Sequence, residues 1–112
     1  MSAAGRPGEL LALFAARQEA IVADLGELVR RESPSAEPEA VSALSAWVVE
    51  RLAASGVPAE LVPFAGAGDG VRARLGPERG GTLLLGHLDT VWPLGTLAAT
   101  PFHAGGALAT GP

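Results

Sequence analysis

A short apolar run that ends in a histidine and a carboxylate constrains this chain more than any other stretch. Residues 82–85 read Thr-Leu-Leu-Leu, and Gly86, His87, Leu88 and Asp89 follow. A short run that is apolar on both faces is typical of a strand buried in the middle of an α/β sheet. If the backbone stays extended, His87 and Asp89 point to one side and Leu88 to the other. The sequence therefore predicts a polar pair at the carboxyl end of a central strand, where open α/β sheets bind their ligands.

The pair His87 and Asp89 has two interpretations when it is judged by spacing alone. A neutral imidazole is a common zinc ligand, and a carboxylate on its other ring nitrogen fixes the tautomer. The same pair is also expected of a structural hydrogen bond that involves no metal. A zinc site takes three or four protein ligands, and the neighbouring sequence supplies no others. The spacing leaves both interpretations open.

The composition excludes several classes of protein. The chain of 112 residues has a formal charge of −4 and no basic cluster, which argues against nucleic acid as a partner. It has no cysteine, so a disulfide framework, a thiolate zinc site and a thiol nucleophile are excluded. Near the N-terminus, Arg17, Gln18 and Glu19 interrupt the apolar residues, which is typical of an amphipathic helix and not of a signal peptide or membrane span. We expect a cytoplasmic protein that binds neither nucleic acid nor membranes.

The first half of the chain predicts a flexible arm and two helices. Residues 1–8 form the arm, and apolar positions at helical spacing predict one helix over 9–31 whose apolar stripe packs in the core. A break at Ser33-Pro34-Ser35 follows, because proline disfavours helical geometry in the residue before it. Ser35 is expected to cap a second helix, which begins near Pro38 and ends before Gly56.

Two strands are predicted between the second helix and the polar pair. Residues 57–64 and 71–75 have the composition and alternation of strands. A turn rich in glycine and proline then leads from the second strand into 82–85 as a hairpin-like return.

The last segment, residues 90–112, shows no clear period and is rich in glycine and proline. A long irregular run beside a polar site is expected to line that site or to be disordered. Trp92 and Phe102 are its apolar anchors, expected either to wall a pocket or to pack over the end of the sheet. His103, the second histidine of the chain, is a weaker ligand candidate than the first.

The motif and the residues after it resemble those of a known family. Residues 83–93 read Leu-Leu-Leu-Gly-His-Leu-Asp-Thr-Val-Trp-Pro, and Gly95, Pro101-Phe102 and Gly111-Pro112 continue the pattern. This string resembles the first metal motif of the co-catalytic zinc exopeptidases related to glutamate carboxypeptidase, aminoacylase and succinyl-diaminopimelate desuccinylase. The resemblance implies that 9–112 is the N-terminal part of a three-layer αβα catalytic domain of the α/β class. It also implies truncation before the loop with the metal-bridging aspartate.

The resemblance implies roles for two residues of this chain. His87 matches a ligand of one zinc ion, and Asp89 matches the catalytic-site carboxylate that orients this histidine. A complete site would hold two zinc ions, with cobalt or manganese as substitutes, and would cleave an amide or peptide bond with metal-activated water. The other metal ligands and the glutamate general base would lie outside this sequence, so we expect the chain alone to be inactive.

The resemblance also implies a class of substrate and a mode of assembly. The substrate would be a small peptide or an N-acyl amino acid, and the complete protein would be a homodimer formed through a domain absent here. An alternative is a short non-catalytic α/β module, or a relic, that keeps only the scaffold. A third hypothesis is a generic small α/β binding domain whose motif is accidental.

Overall fold

The N-terminal half of the protein is helical, as its apolar spacing predicts. The structure, a computed structural model, describes residues 6–112. Helix α1 spans Pro7–Ala16, α2 spans Gln18–Val29 and α3 spans Pro38–Ala54. Proline opens α1 and α3, where its missing N–H removes no helical hydrogen bond. Gly56 follows α3 with φ of 79°, so the predicted second helix and its glycine terminus are confirmed.

The single helix predicted for 9–31 is in fact two helices with a break at Arg17. Arg17 has φ of −106° and ψ of 8°, and its N–H bonds to the carbonyl of Phe14, three residues back. No residue of α1 is buried, so no tertiary packing holds one continuous helix axis. The predicted packing of this stripe in the core is also wrong, since α2 buries only Gly26 and Leu11 of α1 is 71% exposed.

The predicted N-terminal arm lies mostly outside the described part of the chain. Residues 1–5 are outside it, and α1 already begins at Pro7, so the helix starts two residues earlier than predicted. The carboxylate of Glu9 accepts the main-chain N–H of Arg6 at 3.3 Å, which satisfies one free donor at this helix end.

The two predicted strands are confirmed, with fewer residues and, for the second, an earlier start. Strand β1 spans Ala59–Val62 and β2 spans Gly70–Ala73, and they pair antiparallel with Ala59 opposite Ala73. The hairpin therefore joins β1 to β2, and the predicted return from the second strand into 82–85 is wrong.

The core of the described chain lies where α3 meets the β1–β2 hairpin. Val41 and Leu44 are its buried hydrophobic residues. Ser45 is fully buried, and its hydroxyl donates to the carbonyl of Asp69 at 2.6 Å. The N–H of Asp69 donates in turn to the hydroxyl of Ser42 at 2.9 Å. These two hydrogen bonds fix the hairpin turn to α3.

The buried central strand predicted for 82–85 is wrong. The segment has no regular secondary structure, and Leu83, Leu84 and Leu85 are 82%, 91% and 89% exposed. An apolar run becomes a central strand only when other strands pair with both of its edges and other layers cover both of its faces. Residues 6–112 supply neither, because their two sheets are separate two-stranded hairpins.

The C-terminal segment has more local structure than its composition predicts. Helix α4 spans Thr96–Ala99, and β3 at His103–Gly105 pairs antiparallel with β4 at Leu108–Thr110. Gly95 before α4 and Gly106 in the hairpin turn have φ of 94° and 59°, a left-handed geometry that glycine adopts without strain. The expectation of an irregular segment over 90–112 is therefore wrong for these elements.

The chain exposes far more surface than a compact protein of its mass. Its accessible surface is 8682 Å², whereas about 5,700 Å² is expected at this mass. Its radius of gyration is 16.2 Å, against about 13 Å for a compact chain of this length. Helices and small antiparallel sheets make the fold mixed α/β, which confirms the coarse class. None of the helices within residues 6–112 is both long and apolar enough to cross a membrane.

Candidate functional site

The loop between α2 and α3 holds the segment that carries the histidine and the aspartate. The N–H of Thr90 donates to the carbonyl of Ser33 at 2.8 Å, and the N–H of Ser35 donates to the carbonyl of Thr90 at 3.0 Å. The two bonds form an isolated parallel bridge between Pro34 and Thr90. Two short segments therefore run side by side, and their side chains become neighbours.

Ser33 anchors the backbone between the histidine and the aspartate. It is 1% exposed, and its hydroxyl donates to the carbonyl of Leu88 at 2.7 Å. Because Leu88 lies between His87 and Asp89, this bond fixes the position from which both of those side chains project.

Ser35 binds the aspartate itself. Its hydroxyl donates to Oδ2 of Asp89 at 2.6 Å. The prediction that Ser35 caps the second helix is wrong, since Glu37 is the N-cap residue and no side-chain cap bond forms there. The sequence contained a signal for this role, because an extended Ser-Pro-Ser segment places both serines on one side. The bond from Ser35 to Asp89 was missed, because a serine three residues before Pro38 also fits the pattern of a helix cap.

The structure brings His87 and Asp89 together as predicted. Nδ1 of His87 lies 2.9 Å from the main-chain oxygen of Asp89 and 3.3 Å from its Oδ1. A carbonyl oxygen only accepts hydrogen bonds, so Nδ1 must carry the hydrogen in the neutral ring. The lone pair then lies on Nε2. The side chain of His87 is 84% exposed, so this nitrogen is accessible to a ligand.

The contacts of Asp89 keep it ionised. The hydrogen bond from Ser35 is the largest cause that lowers the pKa of the Asp89 carboxyl below its ordinary value. Partial desolvation opposes this effect, while the main-chain N–H of Asp89 and the adjacent His87 contribute smaller decreases in the pKa. At neutral pH, Asp89 is therefore a carboxylate next to the imidazole.

Glu32 fixes the loop that follows the polar pair. Its carboxylate accepts the N–H of Gly95 at 3.0 Å and the N–H of Leu97 at 2.9 Å. These bonds, the one from Gly95 first, lower the pKa of Glu32. Since α4 begins at Thr96, the carboxylate satisfies free donors at the start of this short helix.

A small pocket of about 160 Å³ opens beside the pair. Leu28 and Leu44 form apolar parts of its wall, and Trp92 lines it as well, which is one of the two placements that the sequence left open for this tryptophan. His87 and Arg31 bring polar atoms to its lining. The guanidinium of Arg31 also lies over the Trp47 ring, 4.2 Å from its centroid.

Phe102, the other apolar anchor, packs elsewhere. Its ring lies against Gly26 of α2, so close that a methyl group added at this glycine would come within 2.9 Å of the ring. The guanidinium of Arg30 lies 5.3 Å from the centroid of the same ring. This packing attaches the C-terminal hairpin to α2.

The donor atoms of the site fit one ligand position of a metal centre. His87 offers an accessible imidazole nitrogen whose tautomer is fixed by Asp89. Within residues 6–112, no group of three or more histidine, aspartate or glutamate side chains is close enough to hold a metal ion. His103 is exposed on β3 and belongs to no such group. These residues supply one ligand of the three or four that zinc takes.

Searches against protein-family models and curated proteins gave no match for this chain.

Proposed function

We propose that this chain is the part of a metal-dependent hydrolase that supplies one ligand to a two-metal centre. The observation that carries the proposal is the contact of His87 Nδ1 with Asp89, which leaves Nε2 exposed and free to accept a metal ion. A neutral imidazole bonded through its other nitrogen to a carboxylate or carbonyl is the usual form of a zinc-binding histidine. The string of residues 83–93, similar to the zinc exopeptidase motif, supports the same role.

The residues of this chain would hold and orient the ligand. His87 would bind one of two zinc ions, with cobalt or manganese as substitutes. Asp89 would keep the imidazole in its ligating tautomer and make it more basic. When bound, such ions activate water and polarise an amide carbonyl.

The remaining parts of the centre would come from other polypeptide. They include the further metal ligands and a glutamate that carries the proton. The substrate class is a small peptide or an N-acyl amino acid, bound by a cytoplasmic protein that is homodimeric when complete. By this proposal, residues 1–112 alone do not catalyse the reaction.

The first test is to sequence the gene past the codon for Pro112 and to express any longer protein that it encodes. We expect an open frame that supplies further carboxylates and a histidine, and a product that hydrolyses N-acyl amino acids only when metal is present. His87→Ala should remove one bound zinc ion per chain. His103→Ala, which changes the other histidine on an exposed strand, should leave the zinc content unchanged. Full zinc content in the His87→Ala protein would overturn the ligand assignment.

A substitution at Asp89 tests its orienting role separately. Asp89→Ala in the longer protein should weaken metal affinity or activity about 10- to 100-fold, as the loss of a residue that orients a metal ligand does. Zinc content measured against a graded chelator separates a loss of affinity from a loss of rate. Unchanged zinc affinity and activity in this variant would contradict the orienting role.

The alternative function is a non-catalytic α/β module that keeps the scaffold. The absence of any three-residue donor group within residues 6–112 favours it if no further polypeptide is supplied. A stop codon directly after Pro112, together with no zinc binding by the chain alone, would select this alternative.

A further inference from the structure

We propose that Ser35 is a positioning residue for the metal centre, because its hydroxyl fixes the Asp89 carboxylate that holds the His87 imidazole. The inference rests on the proposed function for its purpose, and on the contacts of three side chains for its geometry. Within residues 6–112 the hydrogen bonds of Ser35 go to Asp89 and Thr90 and none goes to the imidazole, so it acts on His87 only through Asp89.

The two oxygens of the Asp89 carboxylate have different partners. Oδ2 accepts the Ser35 hydroxyl at 2.6 Å, and Oδ1 faces Nδ1 of His87 at 3.3 Å. A distance of 2.6 Å is typical of a strong hydrogen bond from a hydroxyl to an ionised carboxylate. A carboxylate without this bond would turn about its terminal torsion, which has only broad preferences. With Oδ2 held, Oδ1 stays directed at the imidazole.

Ser35 is itself fixed to the segment that it positions. Its N–H donates to the carbonyl of Thr90 at 3.0 Å, and its hydroxyl also lies 3.1 Å from that oxygen. Pro34 precedes it, and the proline ring fixes one backbone dihedral angle of the bridge. The main chain of Ser35 as well as its side chain therefore holds it next to Asp89.

Ser35 has no evident role in the core. It is exposed, it does not cap α3, and its polar contacts within residues 6–112 all go to Asp89 and Thr90. The buried neighbour Ser33 has the different role of anchoring the main chain. The exposed hydroxyl therefore serves the geometry of the site.

The main-chain carbonyl of Asp89 is a second group that fixes the tautomer of His87, and an experiment must separate its effect from that of the carboxylate. The main-chain oxygen of Asp89 lies 2.9 Å from Nδ1 of His87, closer than the carboxylate. If this carbonyl alone fixes the tautomer, both the carboxylate and Ser35 are dispensable for it.

The test measures the imidazole tautomer in the chain of 112 residues by long-range proton–nitrogen NMR, with histidine labelled in both ring nitrogens. Spectra are recorded at alkaline pH, so that the neutral imidazole is the form observed. In the wild type we expect His87 to carry its hydrogen on Nδ1. Ser35→Ala and Asp89→Asn should both lower the ratio of the Nδ1–H to the Nε2–H form by about 2- to 10-fold, the effect of one net hydrogen bond.

Three further variants control for a merely structural effect. Ser35→Thr keeps the hydroxyl and should restore the wild-type ratio, while Ser35→Cys keeps the size with a weaker donor and should give an intermediate one. Ser55→Ala removes an exposed hydroxyl that bonds to Arg51, far along the sequence from the site, and should change nothing. The ring of His103 serves as an internal reference in every sample.

The outcomes distinguish the inference from the proposed function. If Asp89→Asn changes the ratio and neither Ser35→Ala nor Ser35→Cys does, the role of Ser35 is overturned and the ligand assignment stands. If none of these variants changes it, the main-chain carbonyl fixes the ring and the inference is wrong. If wild-type His87 carries its hydrogen on Nε2, the ligating form assumed by the proposed function is itself refuted.

Discussion

Removal of the Ser33 hydroxyl should loosen the polar pair while the rest of the fold stays in place. Ser33→Ala deletes the 2.7 Å bond to the carbonyl of Leu88 at a position that is 1% exposed. A buried group that loses its partner destabilises a protein by about 1–3 kcal/mol. Leu88 is only half-buried, so water reaches its carbonyl once the loop moves, and we expect about 1–2 kcal/mol. That energy corresponds to about 5- to 30-fold more frequent local opening.

Native-state amide hydrogen exchange measures this opening residue by residue. The N–H groups of Thr90 and Ser35 form the bridge that Ser33 supports, so their exchange should become about 5- to 30-fold faster in Ser33→Ala. Ser45→Ala is the matched control. Ser45 is also fully buried and donates to a carbonyl, that of Asp69, at 2.6 Å. Its loss should speed exchange at the hairpin turn and leave Thr90 unchanged.

Two results would refute the reasoning about Ser33. The first is unchanged protection of Thr90 in Ser33→Ala, which would mean that the hydroxyl does not anchor the segment. The second is an equal loss of Thr90 protection in Ser45→Ala, which would mean that the loop opens only with the whole fold.

Three further predictions concern other parts of the chain. The pKa of the Glu32 carboxyl is lowered in the fold, so the stabilisation that Glu32 gives is complete at pH above the ordinary pKa of 4.5 and is lost as pH falls through the lower native pKa. The amide signal of Gly95, followed against pH, should show this loss. The same pH-dependent change should be absent from the Glu32→Gln variant, which is the control. Leu84 is 91% exposed in a run without charge, so Leu84→Lys should reduce self-association in sedimentation experiments, and unchanged sedimentation would contradict this. Gly26→Ala should lower the melting temperature, because the new Cβ would lie 2.9 Å from the Phe102 ring. This clash should outweigh the gain of about 1 kcal/mol in helix propensity that alanine gives over glycine. A higher melting temperature would show that the ring moves freely.

Local signals in the sequence predicted the elements that depend on local physics. Helix α3 begins at a proline and is followed by a glycine of positive φ, and both residues act within one or two turns of the helix. The contact of His87 with Asp89 was also predictable, because only one residue separates them. These features need no knowledge of distant parts of the chain.

Features that depend on distant partners were missed or predicted wrongly. The apolar run 82–85 reads as a buried strand, yet burial requires neighbouring strands and covering layers that a hydrophobic pattern does not reveal. Ser35 fits the pattern of a helix cap, and its bond to Asp89 spans 54 residues of sequence. A hydroxyl suits either partner, so composition could not decide between them.

The exposed surface of the chain and the donor atoms of the candidate site lead to two separate predictions. The accessible surface of 8682 Å² exceeds that of a compact protein of this mass by about 3,000 Å². A second copy of this chain could cover the exposed leucines of 82–85. By the proposed roles it would bring a second His87 as ligand, with Asp89 again orienting the imidazole, and two histidines are fewer than the three or four protein ligands of a zinc ion. By the proposed function, self-association of the chain and completion of a metal centre are separate events. Leu84→Lys should therefore change sedimentation without creating or removing zinc binding.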